Sequence, residues 1–195
     1  MSEEAGASPA LRAGDLLVAT PSLLDPNFER TVVLLLDVSD GALGVVLNRP
    51  SVVRVAEVLP DWEDLVEPLG VLFSGGPVGA DSALAVGVAA ATVRSPEDEL
   101  VGFRPLWDGV GIVDLDSPTA LVGPALSSLR VFAGYAGWGA EQLRGEIASG
   151  SWYVVPSETG DLTSLHPQRL WSQVLRRQPG ELAWVSTRPG DPTLN

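Results

Sequence analysis

The sequence contains no cysteine and no lysine, and it has a single histidine in 195 residues. Without cysteine the chain has no disulfide, no thiol nucleophile and no sulfur ligand for zinc or an iron–sulfur cluster. Without lysine it lacks Schiff-base chemistry and the lysine of a phosphate-binding loop. A lone histidine also excludes histidine-rich metal sites. We therefore expect neither a metal nor an organic cofactor.

Positive charge is also scarce, because twelve arginines stand against 25 acidic residues and leave a formal net charge of −13. Proteins that bind nucleic acid need a positive surface to neutralise phosphates, so this balance argues against direct nucleic-acid binding. Long hydrophobic runs are missing too: TVVLLL and ALAVGVAAATV are too short to span a bilayer. The start of the chain lacks the basic and apolar segments of a signal peptide. We expect a cytoplasmic protein with no membrane association.

The length and the apolar content of 45% are those of one globular domain. Residues 1–13 begin with MSEEAGASPA, which is acidic, small and without periodicity, so we expect a disordered N-terminal tail there. A single domain over residues 14–190 and a short C-terminal tail over residues 191–195 complete the predicted organisation.

Strand patterns outnumber helix patterns along this domain. Short apolar runs predict strands at DLLVAT, TVVLLLDV, ALGVVLN, VLFSGGPV, SALAVGVAA, RVFAGYA and SWYVVP, and a strand or hairpin at LWDGVGIVDL. The Asp40-Gly41 turn predicts a hairpin between the second and third of these runs. Helix patterns begin after Ser51, at Ser117-Pro118, at GAEQLRGEIAS and at His166-Pro167. We predict one strand-rich domain of the α+β (mixed α/β) class.

The segment FAGYAGWGAEQL places three glycines between a strand pattern and a helix pattern. Gly134, Gly137 and Gly139 have the spacing G-x-x-G-x-G, which is not that of dinucleotide-binding loops. A helix N-terminus at this place could receive an anion. However, Glu141 would repel a phosphate from the first turn of the helix. The pattern therefore favours close backbone packing at a strand-to-helix corner over phosphate binding.

The segment FSGGPV and the single histidine bear on catalysis. Ser74 precedes Gly75 and Gly76, whose N–H groups could form a nest for an anion or a carbonyl oxygen. The same residues more simply form a turn that Pro77 makes rigid. His166 could pair with Ser74 across the fold, although a helix cap or a surface position is the plainer interpretation.

Charged side chains leave two further alternatives open. Arg49 in LNRP is held extended before Pro50, and its guanidinium could bind a carboxylate or phosphate ligand or pair with Asp37 on the adjoining strand. In VDLDSP, Asp114 and Asp116 could offer oxygens to Mg²⁺ or Ca²⁺. The ligand spacing of an EF-hand loop is missing, so a solvated turn or a helix cap fits better.

Five motifs occur in order: GDLLVATPSLLDPNFERTVVLLLD, GALGVVLNRP, SGGPV, VFAGYAGWGAEQLRGEI and SWYVVP. In this order and spacing the chain closely resembles the YqgE/AlgH family from about Gly14 to about Pro156. The resemblance implies a compact α+β fold in which a pseudo-barrel-like sheet is flanked by helices. It also implies a bacterial, cytosolic protein without an established reaction. One branch of the family carries a name that links it to transcriptional control of alginate production.

The family motifs supply a candidate binding surface, because aromatic walls with a few convergent polar groups are typical of small-molecule sites. The candidate residues are Asp25, Phe28, Arg30, Asn48, Arg49, Gly75, Gly76, Pro77, Gly134, Tyr135, Gly137 and Trp138. Many family members carry a cysteine–glutamate–histidine stretch where this chain has LLD, so chemistry that uses those groups cannot operate here. We expect a non-enzymatic regulatory protein that binds a small molecule or a protein partner. A hydrolase using Ser74 or a carboxylate and a direct DNA-binding regulator are the alternatives.

Overall fold

The computed structural model describes residues 10–91 and 100–188. Most of the predicted N-terminal tail and all of the predicted C-terminal tail lie outside these residues. Residues 10–14 lead directly into the first strand. No helix within the two described ranges is long and apolar enough to cross a membrane.

The described residues form ten strands and six α-helices. The strands are β1 (Asp15–Ala19), β2 (Val32–Asp37), β3 (Ala42–Val46), β4 (Pro50–Arg54), β5 (Val71–Ser74), β6 (Val78–Ala89), β7 (Phe103–Trp107), β8 (Val110–Val113), β9 (Leu126–Trp138) and β10 (Trp152–Pro156). The helices are α1 (Val55–Val58), α2 (Thr119–Val122), α3 (Ala140–Ala148), α4 (Thr159–Leu162), α5 (Pro167–Arg176) and α6 (Glu181–Val185). Two 3₁₀ turns, Pro60–Leu65 and Gly123–Ala125, follow α1 and α2.

The ten strands join into one curled, half-barrel sheet that is flanked by helices. Its main order is β10-β1-β2-β3-β9-β6-β8-β7, and β4 pairs with β5, which in turn pairs with β9. The β5–β9 pair is parallel, whereas the other described pairs are antiparallel. This strand-rich mixed α/β architecture confirms the predicted fold class.

Each face of the sheet carries an apolar core. Successive side chains of a strand point to opposite faces, so each strand contributes to both cores. The first core receives alternate residues of β1, β2 and β3 and is closed by α5. Its members include Leu16, Val18, Val32, Leu34, Leu36, Val45, Leu47, Leu170, Trp171, Val174 and Leu175. The second core receives the intervening residues and is closed by α3 and the β1–β2 loop. Its members include Leu17, Ala19, Val33, Leu35, Ala42, Val46, Ala136, Trp138, Leu143 and Trp152.

A glycine in β9 changes which residues face each core. Phe132 belongs to the first core, but Ala136 and Trp138, which have the same parity, belong to the second. Tyr135 packs against the first core instead. Gly134 lies between these two registers with φ of 70°, a conformation that glycine adopts without the Cβ penalty. The left-handed residue therefore reverses the side-chain alternation within the strand.

The local predictions are confirmed at the turns but fail after Ser51. The β2–β3 hairpin forms as predicted, and β7 and β8 form a second hairpin around Asp108 and Gly109, whose φ values are 43° and 77°. The predicted helix after Ser51 is wrong for most of its length. Pro50–Arg54 is a strand paired with β5, and only Val55–Val58 is helical. Two adjacent valines favour the extended chain once a neighbouring strand is present to pair with it.

Candidate functional site

Asn48 fixes the end of the β1–β2 loop, which spans residues 20–31. Its Oδ1 accepts a hydrogen bond from the backbone N–H of Val32 at 2.9 Å, and its Nδ2 donates to the carbonyl of Arg30 at 2.8 Å. One side-chain amide therefore satisfies a donor and an acceptor of the loop. Such a contact replaces missing ladder hydrogen bonds where the strand begins.

Arg49 holds the same loop from its other side. Its guanidinium donates to the carbonyls of Pro26 at 3.0 Å and Glu29 at 3.1 Å. Pairing with Asp37, one of the two predicted partners, is wrong, because Asp37 accepts hydrogen bonds from the backbone and hydroxyl of Ser39 in the described residues. Binding of a carboxylate or phosphate ligand stays a prediction. The Ser39 hydroxyl lowers the pKa of Asp37. The LNRP motif is thus a clamp on backbone carbonyls.

Arg30 connects the loop to the helices that close the first core. Its guanidinium carbon lies 4.1 Å from the ring centroid of Trp171, and one terminal nitrogen donates to the carbonyl of Arg188 at 3.2 Å. The Trp171 indole donates in turn to the carbonyl of Ala19 at 2.8 Å. Arg30 therefore packs the loop against α5 and the end of α6.

The glycines of SGGPV and GYAG pack backbone against backbone. A Cβ atom on Gly75 would lie 2.2 Å from the carbonyl oxygen of Gly134, and one on Gly76 would lie 2.3 Å from the backbone of Tyr135. The N–H of Gly75 donates to the carbonyl of Ala133 at 2.8 Å. The close-packing interpretation of the FAGYAGWGAEQL segment is confirmed at Gly134, where a Cβ atom would lie 2.7 Å from the carbonyl oxygen of Val78. Gly75 and Gly76 pack as closely against the same strand.

The other two glycines of the segment are not held by close contacts. A Cβ on Gly137 would make ordinary contact with the Tyr135 ring at 3.6 Å, and one on Gly139 would meet no atom within 4 Å. Gly139 is the N-cap residue of α3. A residue with a side chain therefore fits at either position without a steric clash.

Three aromatic rings join the β1–β2 loop to the end of β9 and the start of β10. The ring centroid of Phe28 lies 5.4 Å from that of Trp138 and 5.5 Å from that of Trp152, and the two indoles are 5.8 Å apart. Edge and tilted contacts at these separations are favourable for aromatic pairs. Phe28 and Trp138 were candidates from the sequence, whereas Trp152 was missed.

Glu146 of α3 collects the polar ends of this aromatic cluster. Its Oε2 accepts hydrogen bonds from the indole nitrogens of Trp138 at 3.0 Å and Trp152 at 2.8 Å. Its Oε1 accepts from the side-chain amide of Gln142 at 2.9 Å. Sequence reasoning missed Glu146, because its position eight residues after Trp138 and six before Trp152 carries no local signal of the contact.

The candidate residues are therefore connected but do not share one pocket. The rings of Tyr135 and Trp138 lie on opposite faces of the sheet. Asp25, Pro77 and Gly137 are exposed, whereas Gly75, Gly134 and Trp138 are buried. The remaining six candidates are half-buried. Most of their polar groups bond to the protein's own backbone.

No nucleophile–base pair is assembled at Ser74 within residues 10–91 and 100–188. The exposed Ser74 hydroxyl makes no hydrogen bond there with His166 or with a carboxylate. His166 is the N-cap residue of α5, as the cap interpretation expected, but its side chain makes no capping bond. Asp114 accepts from the backbone of Asp116 and the hydroxyl of Ser117 at 3.0 and 2.9 Å, which is a turn.

A cleft of about 390 Å³ opens directly beside the glycine-rich corner; we call it the α3 cleft. It lies between α3, the chain before β1 and the β2–β3 turn. Its lining residues are Ala10, Leu11, Val38, Gly41, Ala140, Leu143, Arg144 and Ile147. A Cβ on Gly41 would lie 2.5 Å from the carbonyl oxygen of Trp138, so the turn rests on the end of β9.

A smaller cleft of about 240 Å³ lies where the two ends of the curled sheet approach each other. Its walls come from the start of β1, the β7–β8 turn and the segment after β10. The Trp107 indole covers Gly14 so closely that a Cβ there would lie 2.9 Å from the ring. Its charged lining residues are Arg12, Asp15, Asp108 and Glu158.

Glu67 and Arg130 form a buried ion pair that the sequence did not reveal. The side chains are 6% and 1% exposed, and Arg130 Nε donates to Glu67 Oε2 at 3.0 Å. Arg130 also donates to the carbonyl of Ser164 at 2.9 Å and stacks on the Phe73 ring. Burial raises the pKa of Glu67 and lowers that of Arg130, in both cases against the attraction of the partner.

Comparison with known proteins agrees with this architecture. The sequence profile of the AlgH-like family (DUF179) matches residues 16–183. A UPF0301 protein of Streptomyces coelicolor is 56% identical, with 93% of this chain and 94% of the relative covered. A UPF0301 protein of Mycobacterium leprae is 40% identical, with 98% and 94% covered.

Two solved structures are similar over nearly the whole chain. A Corynebacterium diphtheriae protein has a TM-score of 0.87 and 34% identity, with 94% of this chain and 96% of that chain covered. The AlgH protein from Pseudomonas aeruginosa has a TM-score of 0.66 and 26% identity, with 95% and 98% covered. This protein therefore belongs to the AlgH-like family.

Proposed function

We propose that this protein is a non-enzymatic binding protein of the bacterial cytoplasm, and that it exerts a regulatory effect by holding a small ligand in the α3 cleft. The observation that carries the proposal is the position of the cleft. It opens at Gly41 and Ala140, immediately beside the end of β9 and the glycine-rich corner. Ligand sites are typically concave and apolar with few polar groups, and the lining of this cleft has that character.

The chemistry of the motif residues supports binding over catalysis. Asn48 and Arg49 direct their polar groups to backbone carbonyls and an N–H of the β1–β2 loop. Ser74, the candidate nucleophile, has no base or acid hydrogen-bonded to it in the described part of the chain. A hydrolase would need such a group within reach of its nucleophile. These residues are better suited to fixing the shape of the binding region.

In this proposal four of the twelve candidate residues play two roles. Phe28 and Trp138 support α3 through their contacts with each other and with Trp152. Asp25 and Pro77 are exposed and remain available for contact with a protein partner. The net charge of −13 favours such a partner over nucleic acid.

A fragment screen by thermal shift tests this proposal with the full chain and a blocked cleft. Ala140→Phe places a ring at the mouth of the α3 cleft, whereas Ala148→Phe adds the same ring to α3 away from the cleft lining. We expect fragments that stabilise the wild type and Ala148→Phe but not Ala140→Phe, because only ligands of the folded state raise its melting temperature. Equal stabilisation of both variants, or no stabilising fragment at all, would contradict the proposal.

A further inference from the structure

On the basis of the proposed binding function, we infer that the ligand of the α3 cleft is a short, apolar monocarboxylate, with its chain in the cleft and its carboxylate on Arg144. The floor and walls are aliphatic. Leu143, one of the lining residues, is 1% exposed, and Leu11, Val38 and Ile147 pack around the same core. An aliphatic chain placed there would lose contact with water on most of its surface.

The size of the cleft limits the ligand to a small molecule. A volume of about 390 Å³ is near the lower end of the range of roughly 300–1,000 Å³ for ligand pockets. If each non-hydrogen atom needs roughly the 30 Å³ that a water molecule occupies in the liquid, about a dozen such atoms fit. A carboxylate with a chain of six to eight carbons is within this limit, roughly, whereas a nucleotide is not.

Arg144 is the one charged residue among the eight that line the cleft. It faces solvent, with its side chain 68% exposed, and its ion-pair partner is Glu141 at 2.5 Å on the same helix. The Glu141 side chain is 87% exposed, and pairs of this kind contribute little to stability. The guanidinium can therefore exchange Glu141 for a ligand carboxylate without loss of a structural contact. Its planar donor groups match a carboxylate in two parallel hydrogen bonds.

The local charge favours a monocarboxylate over a phosphate. A phosphate group carries close to two negative charges near pH 7 and requires several donors. The cleft offers one guanidinium, and Glu141 lies beside it with the opposite charge. A singly charged carboxylate needs only this one partner. Charge complementarity with Arg144 and the aliphatic lining thus point to the same ligand class.

The test compares octanoate with octanol, a neutral molecule of the same chain length, by isothermal titration calorimetry on the full chain. We expect octanoate to bind about tenfold more tightly than octanol, which corresponds to one charge-assisted hydrogen-bonding contact. Arg144→Gln should remove this preference, so that octanoate binds the variant no more tightly than octanol does. Arg176→Gln, which removes an exposed arginine from α5, serves as the matched control and should retain the preference.

The outcomes separate this inference from the proposed function. If both molecules bind equally and Ala140→Phe abolishes both, the cleft is a binding site but the carboxylate preference is wrong. If octanoate preference persists in Arg144→Gln, Arg144 is not the recognition residue and the inference fails. If neither molecule binds while other fragments stabilise the protein through the cleft, the ligand class is wrong. Absence of every ligand from the cleft would overturn the proposed function as well.

Discussion

Glu67 and Glu146 are two carboxylates held inside the protein in opposite ways. Glu67 is buried against the charged guanidinium of Arg130, and its Oε1 makes no hydrogen bond in the described part of the chain. Glu146 is half-buried and accepts hydrogen bonds from three neutral donors on Trp138, Trp152 and Gln142. Both glutamates tie distant chain segments together. Only Glu146 does so on the helix that lines an open cleft.

The difference separates a structural region from a region suited to binding. Taking two charges out of water requires a large desolvation free energy, so the Glu67–Arg130 pair depends on a tightly closed environment. Neither the α3 cleft nor the smaller cleft is lined by a residue of this pair. Neutral indole donors hold Glu146 without that requirement, and residues of the same helix line the α3 cleft. The first region therefore supports stability, and in the proposed function the second binds the ligand.

The largest effect is expected for Glu67→Leu. It leaves the buried Arg130 guanidinium with neither its counter-charge nor its hydrogen-bond acceptor, and removing one partner of a buried pair in this way lowers the free energy of unfolding by about 3–5 kcal/mol. Urea denaturation followed by tryptophan fluorescence measures the change. The double variant Glu67→Leu with Arg130→Met is the control, because it removes both charges and should be much closer to the wild type. A change below about 1 kcal/mol in Glu67→Leu would show that the pair is not a structural element.

A smaller loss is expected for Glu146→Ala. It leaves the indole N–H groups of two buried tryptophans without an acceptor, which lowers the free energy of unfolding by about 2–3 kcal/mol. The same variant should weaken ligand binding in the α3 cleft, because α3 loses its tie to the sheet. For stability alone, Glu141→Ala on the exposed side of α3 is the matched control, with an expected change in the free energy of unfolding within about 0.5 kcal/mol. Equal effects of the two substitutions would contradict the assigned role of Glu146.

The pH dependence of stability gives a third comparison. Burial raises the pKa of Glu67 in the folded protein above its ordinary value of 4.5. The folded state therefore holds this proton more tightly than the unfolded state. The contribution of Glu67 is fully present below about pH 4.5 and is lost as the pH rises through the higher folded pKa. At each pH, the unfolding free energy of Glu67→Gln is subtracted from that of the wild type, and we expect the difference to fall as the pH rises. A difference that increases with pH would contradict the prediction.

The smallest effect is expected at Gly145 on α3. A Cβ atom there would meet nothing within 4 Å, and the residue lies in the interior of the helix. Gly145→Ala should raise the free energy of unfolding by about 0.5–1 kcal/mol, because alanine has less backbone freedom to lose. Gly76→Ala is the contrasting change and should destabilise the protein, since its Cβ would collide with the Tyr135 backbone. Destabilisation by Gly145→Ala would mean that α3 is packed more closely than the structure indicates.

Local signals in the sequence were sufficient for the hairpins and for α5. Asp-Gly turns between β-branched runs and the His166-Pro167 start of an amphipathic helix act through neighbours in the chain. Non-local features had no such signal. Arg49 bonds to the carbonyls of Pro26 and Glu29, which lie 23 and 20 positions earlier in the chain. Arg130 pairs with Glu67 across 63 residues. The partners of these arginines depend on the sheet order, which single-sequence patterns do not determine.

The candidate site shows the same limit. The glycine spacing of the FAGYAGWGAEQL segment favoured close packing, which the contacts of Gly134 confirm and those of Gly137 and Gly139 do not. The separation of Tyr135 from Trp138 follows from strand alternation, because the two residues lie three positions apart in β9. The feature that alternation could not predict is that Phe132 and Ala136 face different cores, because the left-handed conformation of Gly134 lies between them. Glu146 was missed since its two indole donors converge only after α3 packs on the sheet.

The most direct test of the account is methyl chemical-shift mapping by NMR during an octanoate titration of the full chain. Binding in the α3 cleft predicts that the methyl groups of Leu143, Ile147 and Val38 shift most and saturate together. Leu24, which lies exposed in the β1–β2 loop among the candidate motif residues, should not move. Saturable shifts centred on Leu24, with the cleft methyl groups unchanged, would contradict the assignment of the binding site to α3.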